Sequence, residues 1–590
     1  MTIDMHDLLP AELRRSWTID GTCPDLDVYS LYRARQIADL HRTAVIDAKG
    51  KLCYTALDRK VRCLAAGLTG LGIRPGDVVG VQLPGGRNAV IADLALAAIG
   101  AVALPFPVGR GGREAASLLR RSEAVAVIAA IEHRGCRHAA DLLALAGESG
   151  EPGEPGESVE SGESVEPAGP GGHGEPGGPG GPGGPGGLPV LRTVIAAGPG
   201  TAPEGSVSLS QLLRTDSSAF VPARPDPESA VRILVSSGSE AEPKMIAYSH
   251  NALAGGRGNF LASLLKDGQP PRCLFLVPLA SAFGSNGTAV ALARHGGTLV
   301  VLDHFTPDAA LDAIAEHEPT HVLGVPTMIR MMLDRLAEQP RELPAPTALV
   351  LGGSVLDAAT ADEARRVFGC PVVNLYGSAD GVNCHTGLGD DAVQVAGPGV
   401  LAGHPDPRVT DIRIAVPDTR EMKEMPSGTV GEIVARGPMT PLCYVGAPEL
   451  DARYRTADGW VRTGDLGILT EDGALRVVGR LRDVVIRGGA NISPAEVEIE
   501  LAAHPGIRDV VCVGVPDPRM GERLAACVVT RDGHAPTLDE LCAHLDGRGL
   551  ERRKHPERLL VVAAVPLTPA GKPDRASLRE QFADPSVQGV

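Results

Sequence analysis

The sequence predicts an α/β protein with a large N-terminal domain of layered sheets and helices and a small C-terminal α+β domain. Three observations carry that expectation. Short apolar runs, "RILVS", "CLFLVPL", "GTLVVL", "HVLGVP" and "ALVLGG", alternate with alanine-rich helical stretches, the rhythm of largely parallel strands joined by crossover helices. Glycine-bearing turns follow several of these runs, at the strand ends where open α/β sheets bind ligands. After "GRLRDVVIRGG" (479–489) come "SPAEVEIELAAHPGIRDVVCVGVPD" and "RLAACVVT", a helix and strands enough for a compact unit of about a hundred residues.

The bulk numbers agree with two or more cores. A chain of 590 residues exceeds one typical domain. Apolar content is 43% but aromatics are only 3%, so alanine, valine and leucine must fill most of the interior. A net charge of −16 argues against sequence-independent nucleic-acid binding, which needs a basic face. It leaves a phosphate ligand possible, because local loops build such sites. The 11 cysteines form no CxxC pair or metal-ligand spacing, which suggests reduced thiols in a cytosolic protein. The 16 histidines form no triad or metal pattern visible from spacing. "MTIDMHDLLPAELRRSW" lacks the apolar centre of a signal peptide. The uncharged stretch 94–108 is shorter than the ~20 residues a membrane span needs. No nucleic acid and no membrane are therefore expected as partners, and the location is expected to be cytoplasmic.

Along the chain, "AVAVIAA" (124–130) and "PVLRTVIAAG" (189–198) read as buried strands of one domain. Between them, residues 148–188 are glycine, proline and glutamate with almost no apolar side chains. Such a tract cannot bury enough surface to offset ordering entropy, so it reads as a disordered surface insertion. Next, "SSGSEAEPK" (236–244) follows the run "VRILV". Its hydroxyls and backbone N–H groups suit phosphate oxygens, and Lys244 adds a point charge. It is not a Walker loop, and by itself a plain polar turn explains it equally well. The basic run "ERRKHPER" (551–558) reads as a solvated helix end.

Further motifs follow in order: "LGGSVL" (351–356), "NLYGSADG" (374–381), "TADGWVRTGDLG" (456–467), "GRLRDVVIRGGANISPAEVE" (479–498) and "PLTPAGKPDR" (566–575). Together with the loop they resemble the signature series of the acyl-adenylate-forming superfamily (AMP-dependent synthetases and ligases, acyl-CoA synthetase-like) from about residue 28 to 580. The resemblance implies that the small domain is a mobile lid, with domains 1–482 and 483–590 and Asp483 as the hinge. It implies ATP and Mg²⁺ as cofactors, an acyl-AMP intermediate, and CoA or an acyl-carrier protein as acceptor. Ser236, Ser237, Gly238, Ser239 and Lys244 match the phosphate loop; Gly352, Gly353, Ser354, Asn374, Tyr376 and Gly377 match the adenosine segments. Asp465 and Arg480 match the ribose contacts, Asp380 the magnesium ligand, and Lys572 the catalytic lysine that meets charge developing in the transfer.

The sequence departs from that pattern in places. Glu240, Ala241 and Glu242 interrupt the loop, Ala379 lacks a hydroxyl, and Ser281 in "PLASAFG" stands where a histidine is usual. No aspartate lies near 280–287 to hold an α-amine, so an aromatic or alicyclic carboxylic acid fits better than an amino acid. Ser281, Phe283, Asn286, Val325, Cys384 and His385 are the candidate acyl-pocket residues. Two alternatives stand beside the acid ligase: the same fold activating nitrite to diazotise an aryl amine, and a non-catalytic nucleotide-binding relative.

Overall fold

The computed structural model describes residues 3–147, 190–236, 243–266, 268–389, 399–417, 419, 422–481, 483–487, 490–517, 519–531, 535–548, 550–568 and 572–583. The 148–188 tract and the loop residues Ser237, Gly238 and Ser239 lie outside them.

Among the described residues the large body contains two mostly parallel sheets. One runs in the order Val207–Ser208, Thr193–Ala197, Ala126–Ala130, Val78–Gln82, Val102–Pro105, Ala230–Val235 and Met245–Ser249. The strands that flank the 148–188 tract are neighbours in it, with Ala126 opposite Thr193 and Ala130 opposite Ala197. The other sheet runs Val382–His385, Val372–Ser378, Ala348–Gly352, His321–Gly324, Arg272–Phe275, Thr298–Val301, Thr43–Asp47 and Gly50–Cys53. Its central strands are buried on both faces, which is why they read as unbroken apolar runs rather than alternating ones.

Helix Arg87–Ile99 touches strands of both sheets. It is apolar almost all round, the pattern of a helix with no solvent face. The uncharged stretch 94–108 is thus the end of this core helix and the strand after it. No helix among the described residues is long and apolar enough to cross a membrane.

A third, antiparallel sheet (Val400–Gly403, Leu475–Arg480, Val461–Leu469, Gly431–Arg436, Asp411–Ala415) closes against the edge strand Val382–His385. The approach is tight at Gly403, which has φ +97° and where a Cβ would lie 2.0 Å from the His385 carbonyl oxygen. Asn374 ties the same junction, donating from Nδ2 to the Leu401 carbonyl at 2.6 Å.

The chain then enters the small domain, where Gly521–Thr530 pairs with Ile507–Asp517, Val485–Arg487 and Arg558–Val561. Helices Pro494–Ala502 and Arg575–Ala583 pack on Ile507–Asp517. The chain is therefore an α/β protein with a large N-terminal body and a small C-terminal domain.

Gly403→Ala should destabilise the protein by about 2–5 kcal/mol, combining left-handed strain with a backbone clash. Urea unfolding followed by circular dichroism would measure it.

Candidate active site

The loops at the C-terminal strand ends of the large body and one segment of the small domain enclose a cavity of about 1060 Å³. A second, of about 950 Å³, adjoins it between the two bodies. Gly353, Gly377, Asp465, Arg480, Asp483 and Lys572 line both.

Asp465 sits on Val461–Leu469 directly opposite Arg480 in the antiparallel register. That pairing brings Arg480 Nε within 2.9 Å of Asp465 Oδ1. From the neighbouring sheet, the Tyr376 hydroxyl donates to Asp465 Oδ2 at 2.8 Å. Burial and the Asp465 charge push the Tyr376 phenol well above its usual range, so it stays a donor. Asp465 likewise raises the pKa of the Arg480 guanidinium.

Lys572 reaches this cluster from the small domain. Gly353, at φ +87°, makes room for it: a Cβ there would lie 3.5 Å from Lys572 Cε. Burial and then Arg480 lower the lysine to about 8, against the opposing pull of Asp465. Arg330 of the large body bridges to the small domain, bonding Asp357 at 3.0 Å and Asp509 of the small domain at 2.7 Å. Asp483, between the bodies, lies 3.8–4.0 Å from Arg579 and Arg575.

Ser236 and Lys244, on either side of residues 237–242, bond to each other. Ser236 N donates to the Lys244 carbonyl at 2.9 Å, and Lys244 N donates to Ser236 Oγ at 3.0 Å. Arg110 adds a bond from Nη2 to the Ser236 carbonyl at 3.2 Å. The Lys244 side chain is buried rather than free: Nζ lies 3.2 Å from Asp380 Oδ1 and 4.0 Å from the Tyr454 ring centroid.

At Asp380 the geometry adds to the expected role. Oδ1 also accepts from the Tyr444 hydroxyl at 2.7 Å, and Oδ2 accepts from Ser378 Oγ at 2.7 Å. Burial disfavours its charge, but Lys244, Ser378 and Tyr444 outweigh burial and hold the carboxyl below its ordinary value. Both oxygens thus accept from protein donors. Among the described residues, no three His, Cys, Asp or Glu side chains gather as a metal-ligand group. Lys244 balances the Asp380 charge, and Oδ2, with one donor, keeps an acceptor position for a cation. Ser378, spent on Asp380, is also not available to replace the hydroxyl missing at Ala379.

Of the other predicted residues, Gly352, Ser281, Phe283, Asn286 and Val325 line the first cavity, and Ser354, Asn374 and Tyr376 line the second. Cys384 and His385 line neither. Cys384 is buried among the residues behind the strand, with Sγ donating to the Gly403 carbonyl at 3.4 Å. His385 faces Ser263 at 3.0 Å and Phe260. Their neighbours Val382 and Asn383 line the first cavity. Arg110, Arg257, Tyr454 and Asn383 were not singled out from the sequence. Only "YSHNALAGGR" (248–257), with a cation in an otherwise uncharged run, signalled one of them.

The family model described as AMP-binding enzyme matches residues 34–445, and that for the AMP-binding enzyme C-terminal domain matches 496–572. The chain belongs to the AMP-binding enzymes. It is 31% identical to the feruloyl-CoA synthase of Amycolatopsis sp, over 92% of this chain and 96% of that one. It is 31% identical to the salicyl-AMP ligase / salicyl-S-ArCP synthetase of Mycobacterium tuberculosis, over 92% and 88%. Among solved structures it is similar to the amide bond synthetase McbA from Marinactinospora thermotolerans, with a TM-score of 0.76, 27% identity, and coverage of 94% and 99%. This AMP-binding enzyme is an AMP-forming, ATP-using ligase.

Asp380→Ala should lower stability by about 3–5 kcal/mol in metal-free buffer, because it strands the buried Lys244 charge. A carboxylate serving only a metal would leave metal-free unfolding unchanged, so urea denaturation in EDTA separates the roles.

Proposed function

We propose that the protein adenylates a small organic acid, aromatic or alicyclic, and passes the acyl group to CoA or a carrier protein. A carboxylate oxygen of the acid attacks the α-phosphorus of ATP. The bond to the bridging oxygen breaks, pyrophosphate leaves, and an acyl-AMP remains. A thiol sulfur then attacks the acyl carbonyl, its proton passes to solvent, and AMP leaves. The observation that carries this reading is the position of Lys572, beside Gly353 and next to the Asp465–Arg480 pair.

In this reading Asp465 accepts from the ribose hydroxyls, a charge-assisted arrangement worth more than a neutral one. Arg480 steadies Asp465, while Tyr376, Gly352 and Gly377 flank the base with Ser354 and Asn374 nearby. Asp483 is the turning point of the lid. Ser236, with the loop residues 237–239, and Arg110 face the phosphates. Lys572 stabilises charge that grows on the transferring group, where a fixed cation lowers the barrier most. Asp380, whose charge Lys244 balances, keeps an acceptor position for a cation such as Mg²⁺.

Two things support an aromatic or alicyclic acid. Relatives over most of the chain are named for salicyl, 2,3-dihydroxybenzoate and feruloyl groups. The wall formed by Val277, Phe283, Val325 and Met439 is apolar and suits a ring better than a small polar amino acid.

Lys572→Ala should slow pyrophosphate release in the first half-reaction by about 10²–10³-fold. Release from ATP with nitrite and an aryl amine, but with no acid, would replace this reading. The wild-type pH profile gives a separate check. The lysine is charged below about 8, so kcat/KM for ATP should fall as pH rises through that value, since this parameter reports the free enzyme. In Lys572→Ala that break should vanish.

A further inference from the structure

Between the described residues of the two bodies there is a single ion pair. Arg330, on helix Pro326–Glu338 of the large body, sends Nη2 to Asp509 Oδ1 on strand Ile507–Asp517 of the small domain at 2.7 Å. No other ion pair between described residues joins a residue before 481 to one after 483.

The large-body side of this contact is preset. Arg330 Nη1 bonds Asp357 Oδ2 at 3.0 Å. Asp357 is in turn fixed as the N-cap of helix Ala358–Phe368: Oδ1 accepts from Thr360 N at 2.8 Å, and Oδ2 accepts from Thr360 Oγ1 at 2.7 Å. One arm of the guanidinium is thus held within its own body and the other is presented to the small domain. Arg330 is 23% exposed and each carboxylate 19%, so water screens the bridge less than at an open surface. Without Arg330 the same contact would be repulsive on the large-body side, because Asp357 and Asp334 both oppose the Asp509 charge and only Arg508, at 3.7 Å, would offset them. A brace for the large body alone explains the bond to Asp357. It does not explain the second bond, to another body.

The strand that carries Asp509 is tied to the segment that carries Lys572. Helix Arg575–Ala583, which begins just after Lys572, packs on Ile507–Asp517, and Arg575 donates to the Cys512 carbonyl of that strand. Arg330, Asp509 and Lys572 also line the same cavity between the bodies.

We propose that Arg330 is a positioning residue for the first half-reaction: its bond to Asp509 holds the small domain where Lys572 meets the Asp465–Arg480 pair. Arg330 touches no reacting atom in this role. It acts through the fraction of molecules that have Lys572 in place, and breaking the bond lets the small domain leave. The role in catalysis rests on the acid-ligase reading above, but the first test needs no acid.

That test uses the full-length protein with Arg330→Met and Asp509→Asn, one change on each body. Dyes on non-natural amino acids in place of the exposed Arg366 and Arg552 report the position of the small domain by single-molecule energy transfer. In each variant the ratio of displaced to wild-type populations should rise by about 3- to 30-fold, the range for a partly buried charged hydrogen bond. ATP–pyrophosphate exchange over a panel of hydroxybenzoates should lose kcat by a similar factor, and Arg330→Lys should retain part of both. The double variant should match either single one, because both changes break the same bond. If Arg330→Met does not fold, Asp509→Asn and the wild type decide, and raised salt should enlarge the displaced population of the wild type. Unchanged populations in the variants overturn the latch. Displaced populations with unchanged exchange overturn the positioning role. No exchange by the wild type with any acid overturns the ligase reading, while the populations still decide whether the ion pair holds the small domain.

Discussion

A single buried carboxylate, Asp465, joins the parts of the molecule that must act together. Tyr376 reaches it from the parallel sheet, and Arg480 reaches it from the last strand before the small domain. An aspartate with one such neighbour would be a turn residue. With both, it ties the antiparallel sheet to the parallel one just before the chain enters the small domain. Lys572 comes to the same cluster through the fold of the small domain, and Arg330 holds that approach by bridging Asp357 and Asp509. The nucleotide end is therefore assembled by contacts between bodies.

The phosphate side obeys a different constraint. Lys244 and Asp380 are both buried, so each needs the other's charge; Tyr444 and Ser378 add two further donors to the carboxylate. A pair of this kind is hard to break without leaving one ion stranded in a poor solvent. That argues for a structural function: the pair fixes the exit of the loop between Ser236 and Lys244. The other cations lining the cavity there include Lys572 and Arg110, the latter paired with Glu114 at 3.3 Å.

Much of the fold was legible in the sequence because the physics there is local. Strands buried on both faces must be continuous apolar runs, and "RILV", "CLFL", "TLVV", "HVLG" and "ALVLG" all became strands of the parallel sheets. The ordered motif series gathered Gly353, Tyr376, Asp465, Arg480 and Lys572 at one place. What stayed hidden depends on phase or on distance along the chain. On Val382–His385 the residues that line the cavity are Val382 and Asn383, while Cys384 packs behind the strand and His385 turns to Ser263. No local signal announces that Tyr444 will meet Asp380, 64 residues away, or that Tyr248 and Ser285 will meet Arg257. The ion pair of Asp380 with Lys244, 136 residues away, was hidden for the same reason.

The two halves of the site also differ in where their elements come from. Tyr376 comes from the parallel sheet, Asp465 and Arg480 from the third sheet, and Lys572 from the small domain. Arg257 and Asn286 belong to segments packed inside the large body, with Gly256 pressed so close to Met439 that a Cβ would lie 2.3 Å from its nitrogen. Arg257 thus stands in a tightly packed part of the large body, while Lys572 is supplied by the small domain.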